Sequence, residues 1–143
     1  LHAWFAHIPG LKVVMPTTPY DAKGMLIASI EDNNPVVFME HRWLHSIHGH
    51  VPEGHYTVPI GEPKRMTEGN DVTIVSCSYS TLEALKAVNI LAEQGINAEV
   101  IDLRTIAPLD DTLILESAAR TGRLVVVDPG TLTAGFSGEI VSR

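Results

Sequence analysis

Val72-Thr73-Ile74-Val75-Ser76-Cys77 and Ala98-Glu99-Val100-Ile101-Asp102-Leu103 are two apolar runs of strand length, and Leu82, Leu85, Val88 and Ala92 recur between them at helical spacing, with Leu91 at the edge of the stripe. Gly95 stands where a helix over Thr81 to Glu93 needs its C-terminal cap. Strand, helix and strand in this order predict a parallel pair with a crossover helix. Strands this apolar are covered on both faces, so the fold class is α/β, three-layered, with a mostly parallel sheet.

The pattern continues on both sides of this unit. Downstream, Asp110 or Asp111 can cap a helix over Thr112 to Arg120, Gly122 ends it, and Leu124 to Val127 is the most apolar strand of the chain. A glycine-rich loop, Asp128 to Gly138, leads into a helix opening at Gly138 to Ser142. Upstream, a short strand near Pro63 to Met66 precedes the turn Glu68-Gly69-Asn70-Asp71. Earlier still, Leu11 to Pro16 reads as a strand and Tyr20 to Ile30 as a helix with Thr18 as N-cap and Pro19 in its first turn. Pro35 to Met39 is a further buried strand.

Between these blocks, from His41 to Pro59, periodicity disappears. The predicted organisation is therefore a strand-helix-strand remnant of one α/β domain over residues 1–45, a linker over 46–60 and a second α/β domain over 61–143. The first block, short of sheet neighbours, is expected to be the less stable part.

Composition excludes several function classes. No apolar run approaches the roughly 20 residues of a membrane helix, and the opening residues lack the basic region of a signal peptide. A net charge of −7, with ten scattered Lys and Arg, makes a phosphate backbone a poor partner, so neither membrane nor nucleic acid is expected. Cys77 is the single cysteine; its place in a strand reads as a buried small hydrophobe, since a reactive thiolate needs an exposed, electropositive setting.

Several residues carry chemistry in principle. His41, His45, His48, His50 and His55 crowd the linker, and histidines three or four apart can share a helical face and bind zinc. The other reading is a polar exposed connector, favoured because Gly49, Pro52 and Gly54 break any helix that would align the ligands. The Asp128–Gly138 loop could cradle a phosphate on free amides, yet no lysine follows, and tight turns account better for its glycines. Glu40, Asp102 and Asp128 fall at carboxyl ends of strands, where open α/β sheets bind ligands. Their structural alternatives are ion pairs of Asp102 with Arg104 and Glu40 with Arg42, and capping of a turn by Asp128.

Longer motifs say more. Ala3-Trp4-Phe5-Ala6-His7-Ile8-Pro9-Gly10-Leu11-Lys12-Val13-Val14-Met15-Pro16, followed by Pro19-Tyr20-Asp21-Ala22-Lys23-Gly24, closely resembles the late pyrimidine-binding domain of 2-oxo acid dehydrogenase beta subunits. Gly69 to Ser76, Ala98 to Asp110 and Thr121 to Asp128 resemble the transketolase carboxy-terminal domain of the same subunits. The resemblance covers nearly the whole chain outside the histidine-rich connector.

The resemblance implies a carboxy-terminal piece of a pyruvate dehydrogenase-type beta subunit, serving assembly and inactive alone. It implies thiamine diphosphate and magnesium in the intact enzyme, with none expected on this piece. It further implies decarboxylation of pyruvate, a branched-chain 2-oxo acid or acetoin, with the acyl group passing to lipoamide. Partners would be an alpha subunit, a second beta subunit and a lipoyl acyltransferase core, and the isolated piece would form homo-oligomers. The location would be cytoplasmic in a bacterium, and the mitochondrial matrix or plastid in a eukaryote.

The family's catalytic glutamate and histidine are expected upstream of residue 1, and His7, in a His-x-Pro-Gly motif, is read as structural. No catalytic or cofactor-binding residue is therefore assigned. Ser29-Ile30-Glu31-Asp32-Asn33-Asn34 resembles the family's potassium turn, which maps a partial site onto oxygens of Ser29, Ile30, Asp32 and Asn34. Ala134-Gly135-Phe136-Ser137-Gly138 departs from the family's Gly-Gly-Phe-Gly run. Transketolase, deoxyxylulose-phosphate synthase and a non-catalytic interaction module remain as alternatives.

Overall fold

The computed structural model describes residues 1–143. Four strands, β3 (Lys64–Thr67), β4 (Val72–Ser76), β5 (Ala98–Asp102) and β7 (Leu124–Val127), form a sheet in the order β3-β5-β4-β7. β4 runs parallel to both β5 and β7, and only β3 is antiparallel. Alternation along β4 and β5 divides the apolar residues between two faces. Ile74 and Val100 meet Ala84 of helix α3 (Tyr79–Glu93), while Val75 and Ile101 meet Ile114 of α4 (Thr112–Thr121) and Phe136 and Ile140 of α5 (Phe136–Ser142). The expected three layers result.

Local signals explain the helix ends. Gly122 adopts φ +66 and its N–H bonds the Ala118 carbonyl at 2.8 Å, closing α4. At the start of α4, Asp111 occupies the cap position, but the Asp110 carboxylate accepts the Thr112 N–H at 2.9 Å. The α3 stripe is turned from its expected place: Ala84, Leu85, Val88 and Leu91 line the core, whereas Ala92 is exposed. Periodicity alone does not choose between adjacent stripes on a helix whose apolar residues spread widely.

The first block is not isolated. β1 (Lys12–Val14) pairs in parallel with β2 (Val36–Phe38), and on its other edge with β6 (Thr105–Ala107), an antiparallel strand from the second block. β6 has no signal of its own in the sequence, because Thr105-Ile106-Ala107 continues the apolar run of β5. Arg104, at φ +55, breaks that run and sends the chain into a second sheet. β1 thus has the neighbours it was expected to lack. Val13, Met15 and Ile106 join Val75, Ile101 and Ile114 in one cluster, so both blocks share a core.

Helix α2 (Pro19–Glu31) covers the other face of β1, and its Thr18 cap accepts the Asp21 N–H at 3.1 Å as expected. The connector contributes as well. Val58 is buried against Val14 and Met25, with Tyr56 and Ile60 beside it, and Gly24 permits that approach: a Cβ there would lie 2.5 Å from Val58 Cγ2. The short helix α1 (His2–Ala6) packs on β1 and β6. No helix is long and apolar enough to cross a membrane.

Candidate functional site

The densest group of buried polar side chains lies where the two blocks meet, at the carboxyl ends of β4 and β5. Parallel pairing sets Ser76 opposite Asp102. Thr81, in the first turn of α3, accepts from the Ser76 hydroxyl at 3.0 Å and donates to Asp102 Oδ1 at 3.2 Å. From the first block, Thr17 donates to the Ser78 carbonyl at 3.2 Å. Asp21 accepts from the Thr18 hydroxyl at 2.6 Å and from Arg104 Nη1 at 3.0 Å. Arg104 also binds the Glu62 carbonyl through Nε and Nη2.

The two carboxylates of this joint live differently. Asp21 faces Arg104, with Lys64 Nζ 3.8 Å away. Asp102, equally sealed from solvent, has no cation against it. Burial therefore pushes its carboxyl up to about 6, against the lowering effect of the nearby Thr17 hydroxyl and of hydrogen bonds from the Arg104 N–H and Thr81, and the Asp21 charge adds to the rise. The expected Asp102–Arg104 ion pair does not form, because the positive φ at Arg104 aims its guanidinium at Asp21 and leaves only its N–H, at 3.2 Å, for Asp102.

The other candidates are dispersed. Glu40 is exposed and lies 3.7 Å from His45, not on Arg42. Asp128 accepts the N–H groups of Gly130 and Ser137 at 2.9 and 3.0 Å and lies 2.9 Å from His2 Nε2. The glycine-rich loop thus directs two amides inward to its own aspartate, and Gly135 is needed there, since a Cβ would sit 2.0 Å from the Thr131 carbonyl oxygen. Cys77 is buried, and burial pushes its thiol far above the ordinary range.

Three of the connector histidines, His41, His45 and His55, take separate partners. His41 stacks on Tyr79 and accepts the Trp43 N–H, and His55 lies 2.7 Å from Glu31. No three His, Cys, Asp or Glu side chains converge as metal ligands.

At the mapped potassium turn, α2 ends at Glu31, so the carbonyls of Ser29 and Ile30 fall in the last turn, where helical donors run out. The Asn34 N–H donates to Asp32 Oδ1 at 2.8 Å instead of returning to the helix. Asp32 Oδ2 pairs with the Lys12 ammonium. Those bonds hold the Asp32 carboxyl down to about 2.

A second buried carboxylate, Glu99 on β5, is gripped by Arg65 Nε at 3.1 Å and by Arg120, which also binds the Gly69 carbonyl. Burial alone would raise Glu99; bonds from Ser117 and the two arginines outweigh it and hold it below the usual range.

Comparison with known proteins gives this geometry a family. The model described as "Transketolase, C-terminal domain" matches residues 61–143, more than half of the chain. The chain belongs to the transketolase C-terminal domain family. "Transketolase, pyrimidine binding domain" matches residues 1–46, so in this family member the Asp21–Arg104 bond joins the two matched regions.

Among relatives, the beta subunit of acetoin:2,6-dichlorophenolindophenol oxidoreductase from Cupriavidus necator is 51% identical over 139 residues, 97% of this chain and 41% of that protein. The pyruvate dehydrogenase E1 component subunit beta of Bacillus subtilis is 46% identical over 144 residues, covering 100% of this chain and 44% of that protein. The chain thus spans less than half the length of these curated relatives. Among solved structures, a split-gene transketolase in an inactive beta4 tetramer superposes with TM-score 0.85 at 27% identity, covering 99% of this chain and 46% of that one. A transketolase mutant of Pichia stipitis, at TM-score 0.58 and 15% identity, shares the fold over 98% of this chain and 24% of that one.

Of the residues that tie the joint, Asp21 carries no sequence signal, and Arg104 reads from sequence as a partner of Asp102 instead. Both lie inside motifs quoted for the resemblance, but nothing in a single sequence links positions so far apart.

Proposed function

We propose that this chain is the end of the pyrimidine-binding domain and the carboxy-terminal domain of a beta subunit of a thiamine-diphosphate-dependent dehydrogenase acting on pyruvate, another 2-oxo acid or acetoin. In this reading its role is subunit assembly, with a cytoplasmic location in a bacterium and a mitochondrial-matrix or plastid location in a eukaryote. The observation that carries the reading is the 51% and 46% identity, sustained over almost the whole chain, to beta subunits of an acetoin and a pyruvate enzyme.

The chain's own side chains support an assembly role. Asp21 and Glu99 are committed to arginines, Asp102 is sealed, Asp128 holds its loop, and Glu40 is exposed beside His45. These residues do not make a magnesium or diphosphate site, and no catalytic step is assigned to them. Thiamine diphosphate and magnesium would be held by an alpha subunit and by parts of the beta subunit outside this chain. Potassium fits better: the carbonyls of Ser29 and Ile30, with oxygens of Asp32 and Asn34, would supply a partial hard-cation site, though the Asp32 carboxylate is already shared with Lys12.

The test is to co-express the full-length beta subunit with an alpha subunit and follow reduction of dichlorophenolindophenol with pyruvate, branched-chain 2-oxo acids or acetoin. Turnover with one of these donors supports the reading, and none with any of them overturns it. The second reading, a split transketolase, rests on the TM-score of 0.85 to one such protein. It would show as ketol transfer between sugar phosphates instead.

A further inference from the structure

Residues 49–58 of the connector form no helix and no strand, yet they lie along α2 from its first turn to its last. Gly49 rests on Pro19, where a Cβ would stand 3.4 Å from the proline ring. Lys23 donates to the Pro52 carbonyl at 2.6 Å. Tyr56 stacks on Tyr20 at 4.8 Å and donates to its carbonyl at 3.0 Å. At the far end of the helix, His55 lies 2.7 Å from Glu31.

These fastenings are unequal. The His55 and Glu31 side chains are 67% and 53% exposed, so water replaces either partner at little cost. The Tyr56–Tyr20 bond is also at the surface. Val58 is the exception: it is 3% exposed and packs on Val14 and Met25. Its N–H donates to the Gly24 carbonyl at 3.1 Å, and no other main-chain N–H between residues 48 and 59 makes a hydrogen bond. Beyond the two ends the chain is moored on the second block, by His41 stacked on Tyr79 and by the Gly61 N–H on Thr105 Oγ1 at 3.0 Å.

A segment moored at both ends, with weak surface contacts and one buried side chain between, has the make-up of a low-stability cooperative unit. We propose that residues 49–58 are a strap over α2 that opens as a unit when Val58 leaves its socket, while both sheets stay folded. Opening parts Pro52 from Lys23, Tyr56 from Tyr20 and His55 from Glu31 together. It bares an apolar socket lined by Val14, Met25, Val36 and Phe38, with Gly24 on the side that Val58 Cγ2 now touches. The strap thus governs access to the face shared by α2 and β1.

The experiment reads opening at two points of the strap. Glu53, exposed at its middle, is offered to a glutamate-specific protease, and cleavage of the Glu53–Gly54 bond is followed by mass spectrometry. Cleavage of a transiently opened segment tracks the population of the open form. Amide exchange is followed at Val58 and, as a reference in the core, at Leu103, whose N–H bonds the Ser76 carbonyl at 2.9 Å.

In wild type, Val58 is expected to exchange at least about tenfold faster than Leu103, after correction for intrinsic rates. Its rate should hardly change in about 1 M urea, which should speed Leu103, because opening the strap exposes far less surface than unfolding does. Val58→Ala should raise Glu53 cleavage and Val58 exchange by the same factor, about tenfold, for the methyl groups withdrawn from the socket. His55→Ala should change both by less than about twofold. Val58 protected as strongly as Leu103, with the same urea response, overturns the proposal, since the strap would then open only on unfolding. Glu53 cleavage that ignores Val58→Ala overturns it too, since the strap would then fray piece by piece. Should Val58→Ala fail to fold, the wild-type exchange rates and their urea response decide alone.

Discussion

Arg104 Nη1 and Asp21 Oδ1 lie 3.0 Å apart, and their residues are separated by 83 positions in the chain. Asp21 is fully buried and the Arg104 side chain is 9% exposed, so neither charge has water to fall back on if its partner is removed. Asp21→Ala is expected to destabilise the chain by about 3–5 kcal/mol. Replacing both residues together, Asp21→Leu with Arg104→Met, should cost far less. Urea unfolding of the single and double variants checks this, and a single variant losing under about 1 kcal/mol would show that the pair is solvated after all.

Gly69 offers a test of backbone approach. A Cβ at this position would lie 2.3 Å from the Ala98 carbonyl carbon and 2.6 Å from the Glu99 nitrogen, both main-chain atoms of a central strand. Gly69→Ala is expected to cost about 1–3 kcal/mol through displacement of β5. Gly24→Ala meets side-chain atoms of Val58 and Tyr56 instead of main chain and should be milder. The ranking of their urea midpoints is the measurement, and the reverse order would contradict it.

The Asp32 carboxyl is shifted in the opposite direction to that of Asp102. Hydrogen bonds from Lys12 and Asn34 hold its carboxyl down to about 2, below its ordinary value of 3.8. A depressed acid contributes stability that is complete above its unfolded pKa and is lost as pH falls through about 4 toward 2. Asp32→Asn should therefore weaken the chain at pH 6 and make little difference at pH 2. Thermal unfolding across that range decides; an equal effect at both ends would detach the loss from ionisation.

Cys77 should be chemically silent in the folded chain. It is buried in the main core, and burial pushes its thiol far up. Labelling by a disulfide reagent is expected to be slow in buffer and rapid in urea, with the rate in buffer tracking unfolding. Fast labelling without denaturant would place the thiol at a surface.

How far the sequence could be read follows from which signals are local. Thr18, Gly95 and Gly122 announced helix ends because capping acts over three or four residues, and the α/β class followed from two apolar runs and the helix between them. β6 stayed hidden because three residues after a strand carry no period of their own, and what makes them a separate strand is the backbone turn at Arg104. Val58 reads as part of an exposed linker because one apolar residue among prolines and glycines gives no pattern; its burial depends on α2 arriving from elsewhere. The joint was half legible. Asp102 drew notice by its place at a strand end, but its partners Thr17 and Thr81, and the Asp21–Arg104 bond, exist only once both blocks are in place.

The pairing of Val13 with Ala107 has a consequence for biosynthesis. A ribosome adds roughly 5–20 residues per second, so β1 emerges several seconds before the strand that will cover its open edge. During that interval its two wholly buried valines, Val13 and Val14, have only α1, α2 and β2 of the first block beside them. That stretch is where a chaperone that recognises extended apolar segments should bind the nascent chain, and it should let go once Thr105 to Ala107 has cleared the exit tunnel.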